Sequence, residues 1–154
     1  MIEAPKNAPP IEEQLREHGT FASNTVGKSM EPLFRTHRDM IIVKRAEGEL
    51  KKYDVALYKT PEGKYILHRV IAVKESEYLI RGDNTYTVEH VKKDAVLAVL
   101  VAFNRAGKRH GVEETGYKIY SRIWNFIYPV RKLINLSYRA LAKIYRCIFK
   151  RKNK

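Results

Sequence analysis

Three short stretches of this 154-residue sequence carry, in order, the serine, histidine and aspartate that nucleophilic catalysis uses. Ser29 stands in a turn, with Gly27 two residues before it and Pro32 three after, and such a turn can present a hydroxyl at a surface. His68 follows in an apolar run, and Asp83 lies in a Gly-Asp-Asn turn. A serine hydroxyl needs a neighbouring base to remove its proton, and a carboxylate can hold an imidazole base in the useful tautomer. These residue types indicate acyl transfer.

The sequences of the three stretches resemble motifs of the type-I signal peptidase family of serine peptidases. That family carries a Ser-Met-x-Pro box, then a strand with the general base, then a Gly-Asp-Asn turn, which correspond here to residues 29–32, 68–70 and 82–84. The sequence Met-Glu-Pro after the serine, and a histidine where bacterial members usually hold lysine, make the chain similar to the archaeal, endoplasmic-reticulum and sporulation branch. The resemblance covers about residues 22–103 and implies a serine endopeptidase on a mainly β fold.

The resemblance also implies a role for each residue. Ser29 is expected to be the nucleophile, His68 the general base, and Met30 a residue beside the site that contacts substrate. Asp83 is the first candidate for the carboxylate that orients His68. Members of the endoplasmic-reticulum type have an acidic residue a few positions further on, which makes Glu89 a second candidate, and the sequence leaves this choice open.

The expected oxyanion hole lacks a donor that some members of the family have. Some members place a serine two residues before the nucleophile and use its hydroxyl as a donor, whereas this chain has Gly27 there. Loss of one oxyanion donor typically costs about 10²- to 10³-fold in rate. The backbone N–H of Ser29 is expected to remain as a donor. No cofactor is expected, because the sequence lacks the Cys and His clusters of metal sites, and its single cysteine, Cys147, cannot form an intrachain disulfide.

Each of these residues also has a purely structural interpretation. Ser29 could cap a turn, and His68 could be a half-buried strand histidine with its hydrogen bonds satisfied. Asp83 is a residue type that turns prefer in any case. Asp39 and Asp54 precede apolar strands, and we interpret both as turn residues.

The spacing of apolar residues and turn signals predicts a mainly β, antiparallel domain. Residues 1–19 are expected to form a loose polar arm followed by a short helix at 11–18 that stops at Gly19. Residues 20–104 form the expected catalytic β domain. Six strands are predicted there, at 20–26, 39–44, 53–58, 64–73, 77–81 and 96–103.

Nearly all of the excess positive charge lies in the last third of the chain. Residues 1–103 hold 16 Lys/Arg and 15 Asp/Glu, whereas residues 104–154 hold 14 and 2. Pro129 divides the predicted helical tail, residues 117–154, into two helices. On a helical wheel the second helix is amphipathic. Its apolar face holds Val130, Leu133, Ile134, Leu141, Ile144, Tyr145 and Ile148, and its basic face holds Arg131, Lys132, Arg139, Lys143, Arg146 and Lys150.

This pattern predicts a helix that lies in the surface of an anionic membrane. The longest run without charge in the tail, residues 123–130, is 8 residues long, so a span is not expected. No apolar stretch follows the first residue, and neither a signal peptide nor an N-terminal anchor is expected. Two alternatives stay open: the helix packs its apolar face on the β domain or on another copy, or it binds nucleic acid, which ranks lower because no recognition motif accompanies it.

Together these features predict a signal-peptidase-like serine endopeptidase that is peripheral to a membrane, with its active site on the cytoplasmic face. The expected substrate is the leader or signal segment of a precursor peptide. A self-cleaving repressor of the SOS type would share the fold but uses Ser and Lys and carries a DNA-binding domain, of which no helix-turn-helix pattern is visible. The remaining alternative is a non-catalytic, membrane-associated or nucleic-acid-binding protein with a decayed peptidase site.

Overall fold

A computed structural model describes residue 2 and residues 9–152, excepting the side chains of residues 139, 144 and 146–152. The expected polar arm at residues 1–10 lies largely outside the described residues. The helices are α1 (Ile11–His18), α2 (Thr115–Phe126) and α3 (Tyr128–Lys152). The strands are β1 (Thr20–Asn24), β2 (Met40–Arg45), β3 (Val55–Lys59), β4 (Tyr65–Val73), β5 (Glu77–Arg81), β6 (Glu89–Lys92), β7 (Val96–Arg105) and β8 (Lys108–Gly111).

The described strands form one antiparallel sheet in the order β1-β2-β7-β3-β4-β5-β6. Strand β8 pairs with the second half of β7, beyond the part of β7 that pairs with β3. Two apolar cores cover the two faces of the sheet. Successive residues of β3 alternate between them, because strand side chains point to opposite faces: Val55 and Leu57 enter one core, and Ala56 and Tyr58 enter the other.

Helix α1 is short and is defined by its ends. It begins after Pro10, and Gly19 ends it in the left-handed conformation with φ of 69°, where glycine is at least cost. Ile11 and Leu15, one turn apart, are buried in the first core. The helix therefore seals the sheet on the side of β1.

The predicted fold class is confirmed: a mainly antiparallel β domain with a short N-terminal helix and C-terminal helices. The six predicted strands are present within a few residues of their expected bounds. Strands β6 and β8 were missed because both are short and polar. Pro129 lies in the first turn of α3, where its missing N–H and fixed φ are tolerated.

Candidate active site

Ser29 lies in the loop between β1 and β2, and Asp39 closes the base of that loop. The buried Asp39 carboxylate accepts hydrogen bonds from the backbone N–H of Arg35 at 2.8 Å and from the Arg38 guanidinium at 2.6 and 2.8 Å. Its carbonyl accepts the N–H of Thr25 at 3.2 Å. Burial by itself would raise the pKa of Asp39, but the hydrogen bonds from Arg38 and Arg35 outweigh it and hold this pKa low. Asp39 is thus the structural turn residue that the sequence indicated.

Apolar side chains fix the same loop from beneath. Met30, Leu33 and Phe34 are each at most 5% exposed and belong to the first core, whereas Ser29 is only half-buried. The loop therefore buries these three apolar side chains and leaves Ser29 partly exposed. Met30 packs in the core, and its contact with substrate stays a prediction.

His68 lies in the middle of β4, opposite Ala56 of β3, and is 5% exposed. Its Nδ1 is 2.9 Å from Oε1 of Glu89, the first residue of β6. The hydroxyl of Tyr58, two residues beyond Ala56 and on the same face of the sheet, donates a hydrogen bond to the other oxygen of Glu89. Glu89 thus holds the imidazole and is itself held by Tyr58.

The electrostatics of this group favour one proton arrangement. The hydrogen bond from His68 lowers the pKa of Glu89 against the opposing effect of partial burial, and the bond from Tyr58 lowers this pKa further. Burial, followed by the contact with Glu89, raises the pKa of Tyr58, so that its hydroxyl keeps its proton. An ionised Glu89 can only accept a hydrogen bond, so it favours the tautomer with the proton on Nδ1, in which Nε2 is an acceptor.

Gly82 marks the point where the serine and histidine segments meet. A Cβ atom at Gly82 would lie 3.0 Å from His68 Nε2 and 2.6 Å from the backbone carbonyl oxygen of Ser29. These two groups therefore flank the same small volume, which only a glycine leaves free. Asn84, in the same turn, donates its backbone N–H to the Ser29 carbonyl at 2.7 Å and its side-chain amide to the Lys28 carbonyl at 3.2 Å.

The backbone carbonyl of Ser29 and His68 Nε2 meet at Gly82, and the Ser29 hydroxyl makes no hydrogen bond with His68 among the described residues. Catalytic hydrogen bonds are often long without substrate and tighten in the Michaelis complex. The backbone N–H of Ser29 also makes no hydrogen bond within the described part of the chain. Its role as an oxyanion donor stays a prediction.

Asp83 occupies a different place from the one that the sequence favoured. Its carboxylate makes two hydrogen bonds of 2.8 Å with the Arg69 guanidinium, and both side chains are buried. Burial works to lower the pKa of Arg69, but the Asp83 carboxylate outweighs it and raises this pKa above its ordinary value. The group in contact with His68 is Glu89, and Asp83 instead stabilises the Gly-Asp-Asn turn.

Helix α2 also contacts the Arg69–Asp83 pair. Arg69 donates to the Ser121 hydroxyl at 2.9 Å and lies within 5.6 Å of the centre of the Tyr117 ring. Tyr120 donates its hydroxyl to Asp83 at 3.1 Å. The predicted tail at 117–154 is therefore docked on the β domain at its beginning, through polar and aromatic side chains of α2. Sequence reasoning missed this docking because Arg69 gives no signal of its partners.

A cleft with a volume of about 740 Å³ opens beside Glu89. The residues that line it come from β3, the following turn, β6 and the short helix after it: Tyr58, Lys59, Thr60, Pro61, Glu62, Glu89, His90, Val91, Lys92 and Ala95. Strand β6 is at the end of the strand order and pairs only with β5 among the described strands. The cleft therefore has an edge strand in its wall.

Beyond the first turn of α3, the described side chains are exposed, except that of Asn135, which is partly exposed. Apolar residues that are at least half exposed follow one another at helical spacing along α2 and α3: Ile119, Ile123, Phe126, Val130, Leu133, Ile134, Leu141 and Tyr145. We call this set the apolar stripe. Among the described residues, no helix combines the length and the hydropathy that a bilayer span needs.

No model of a known protein family matches this chain, and a search of the curated proteins finds no match.

Proposed function

We propose that this protein is a serine endopeptidase similar to signal peptidase, with Ser29 as nucleophile and His68 as general base. The observation that carries the proposal is the position of the His68 ring. Its Nδ1 is held by the carboxylate of Glu89, and its Nε2 faces the junction where Gly82 meets the backbone of Ser29. A carboxylate on one side of the imidazole, and the backbone of a serine beside its other nitrogen, support the order of groups that acyl transfer requires.

The proposed reaction has two halves. In the first, His68 Nε2 accepts the Ser29 proton as the hydroxyl oxygen attacks the scissile carbonyl carbon, and the Ser29 N–H donates to the oxyanion. The imidazolium then protonates the leaving amine, which leaves an acyl ester on Ser29. In the second, a water molecule gives a proton to His68 and attacks the ester carbon, and the imidazolium returns that proton to the Ser29 oxygen as the acid is released. Glu89 stays ionised and stabilises the imidazolium throughout.

The cleft beside Glu89 supports a peptide substrate. Its volume lies within the range of about 300 to 1,000 Å³ that is usual for ligand sites. Its wall contains the edge strand β6, and an extended peptide can pair with such an edge through main-chain hydrogen bonds. We propose that the substrate is an extended leader or signal segment of a precursor peptide.

The apolar stripe and the charge of the tail support binding to an anionic membrane. Residues 118–154 contain 11 Lys/Arg and no Asp/Glu. Burial of one leucine side chain stabilises by about 1.5 to 3 kcal/mol, and each cation near an anionic surface adds about 1 kcal/mol. We propose that the tail holds the protein at the cytoplasmic face of a membrane, peripherally.

A serine-reactive fluorophosphonate tests the catalytic assignment without knowledge of the substrate. The wild-type protein should be labelled, whereas Ser29→Ala should lose labelling and keep its folded circular dichroism spectrum. Ser76→Ala, which removes an exposed hydroxyl in the loop after β4, is the matched control and should be labelled like the wild type. An unlabelled wild-type protein would refute the peptidase and favour a non-catalytic, membrane-associated protein.

Vesicle sedimentation tests the membrane assignment. Leu133→Ser, on the apolar stripe and 66% exposed, should weaken binding to phosphatidylglycerol vesicles by about tenfold or more, from the burial energy of one leucine. Leu136→Ser is the control, because this leucine is also exposed, at 51%, but lies on another face of α3. Equal binding by the two variants would contradict a membrane-facing stripe.

A further inference from the structure

One peptide group, between Asp83 and Asn84, is hydrogen-bonded on both sides. Its N–H, from Asn84, donates to the backbone carbonyl of Ser29 at 2.7 Å. Its C=O, from Asp83, accepts the indole N–H of Trp124 at 2.9 Å and the guanidinium of Arg131 at 2.7 Å. The helical tail and the serine loop therefore contact opposite ends of the same planar unit.

The two tail residues form a stacked pair. The Arg131 guanidinium carbon lies 3.7 Å from the centre of the Trp124 ring, and both side chains are only partly exposed. Trp124 comes from α2 and Arg131 from the first turn of α3. The pair thus spans the junction of the two helices and points both of its donors at one carbonyl.

This arrangement has a consequence for the serine. Hydrogen bonds at the two ends of one peptide group polarise each other, so donors on the Asp83 carbonyl strengthen the bond that Asn84 makes to Ser29. The same turn carries Gly82, against which His68 Nε2 lies. The tail therefore helps to fix the position of the Ser29 backbone relative to the His68 imidazole.

We propose that Trp124 and Arg131 are positioning residues of the active site, which hold Ser29 in register with His68 through the Asp83–Asn84 peptide. This inference rests on the proposed peptidase function. The C-terminal helices then have a role in the chemistry, in addition to any role at a membrane.

The docking of α2 does not depend on Arg131. Arg69 donates to Ser121, and Arg81 donates to Asn125 at 2.9 Å and lies 3.3 Å from the centre of the Tyr128 ring. Substitution of Arg131 therefore removes a donor to the turn while the helix stays in place. An effect on the serine can then be separated from loss of docking.

The test compares Arg131→Ala with Lys132→Ala in the full-length protein. The two changes remove the same charge from adjacent residues, but Lys132 is exposed and, unlike Arg131, makes no hydrogen bond with the turn among the described residues. We expect the second-order rate of acylation by a fluorophosphonate to fall by about tenfold to a hundredfold in Arg131→Ala, because a misplacement of about 1 Å costs this much. Lys132→Ala should keep the wild-type rate. Arg131→Lys, which retains one donor, should recover part of the loss.

Amide hydrogen exchange at Asn84, measured well below the unfolding transition, supplies a readout that does not need activity. Exchange at this amide should accelerate in Arg131→Ala and stay at the wild-type rate in Lys132→Ala. Faster exchange together with an unreactive wild-type Ser29 would support the coupling and refute the peptidase. If Arg131→Ala leaves both the acylation rate and the exchange rate of the Asn84 amide unchanged, the inference is overturned. This holds even if the melting temperature of the variant is lower.

Discussion

Replacement of Gly82 by alanine is the sharpest test of the site geometry. The added Cβ would lie 2.6 Å from the Ser29 carbonyl oxygen, and 3.0 Å from both His68 Nε2 and Thr85 Cγ2. An ordinary contact of about 3.5 Å requires the carbonyl to retreat by roughly 0.9 Å, and backbone cannot move out of the way as a flexible side chain can. The methyl group would therefore push the serine loop away from the imidazole.

The size of the effect follows from what that movement breaks. Strain of this kind in a packed site costs about 1 to 3 kcal/mol, and the weakened bond from Asn84 to Ser29 adds about 0.5 to 1.5 kcal/mol. We therefore expect Gly82→Ala to lower the free energy of unfolding by about 1.5 to 4.5 kcal/mol. A displacement near 1 Å should also reduce the rate of acylation of Ser29 by about a hundredfold.

The assay combines urea unfolding with fluorophosphonate acylation of the folded protein. Gly116→Ala is the matched control: it adds the same methyl group in the first turn of α2, where a Cβ meets nothing within 4 Å. Alanine in a helix should stabilise the protein by about 0.5 to 1 kcal/mol and leave acylation unchanged. If Gly82→Ala has wild-type stability and reactivity, then Ser29 and His68 are not held together as described, and the reasoning fails.

Two further predictions concern carboxylates. Glu89→Gln should lower the rate of acylation across neutral pH by about 10²- to 10³-fold. This is less than the roughly 10⁴-fold that follows loss of a fully buried triad carboxylate, because the Glu89 side chain is 32% exposed. Asp83→Asn tests the rival carboxylate, and a larger loss of reactivity in that variant, at undiminished stability, would contradict the assignment of Glu89. Asp39→Asn should cost about 1 to 3 kcal/mol of stability at pH 7 by loss of charge-assisted hydrogen bonds. Because the pKa of Asp39 is lowered on folding, its contribution is complete above the unfolded value of about 3.9 and is lost as the pH falls through the folded value. The stability difference between wild type and variant should therefore shrink in acid, and a constant difference in urea titrations from pH 7 to about pH 2 would contradict this role.

The sequence determined the features that depend on neighbours along the chain. The pattern of apolar residues and turns predicted six of the strands. Gly19 predicted the end of α1, because only glycine takes the left-handed conformation at little cost. Helical periodicity predicted the amphipathic tail, and Pro129 predicted its division into two helices, which the structure has at Ile127. The three short boxes identified Ser29 and His68 as candidates, and the structure places their segments together at Gly82.

Tertiary structure decided which carboxylate meets the imidazole. His68 and Arg69 are consecutive residues of β4, so their side chains point to opposite faces of the sheet. Asp83 meets Arg69 on one face, and Glu89, brought over by the short strand β6, meets His68 on the other. Strand register fixes this outcome, because a shift by one residue would exchange the faces. No local pattern contains that register, nor the contact by which Trp124 and Arg131 reach the turn from more than forty residues away.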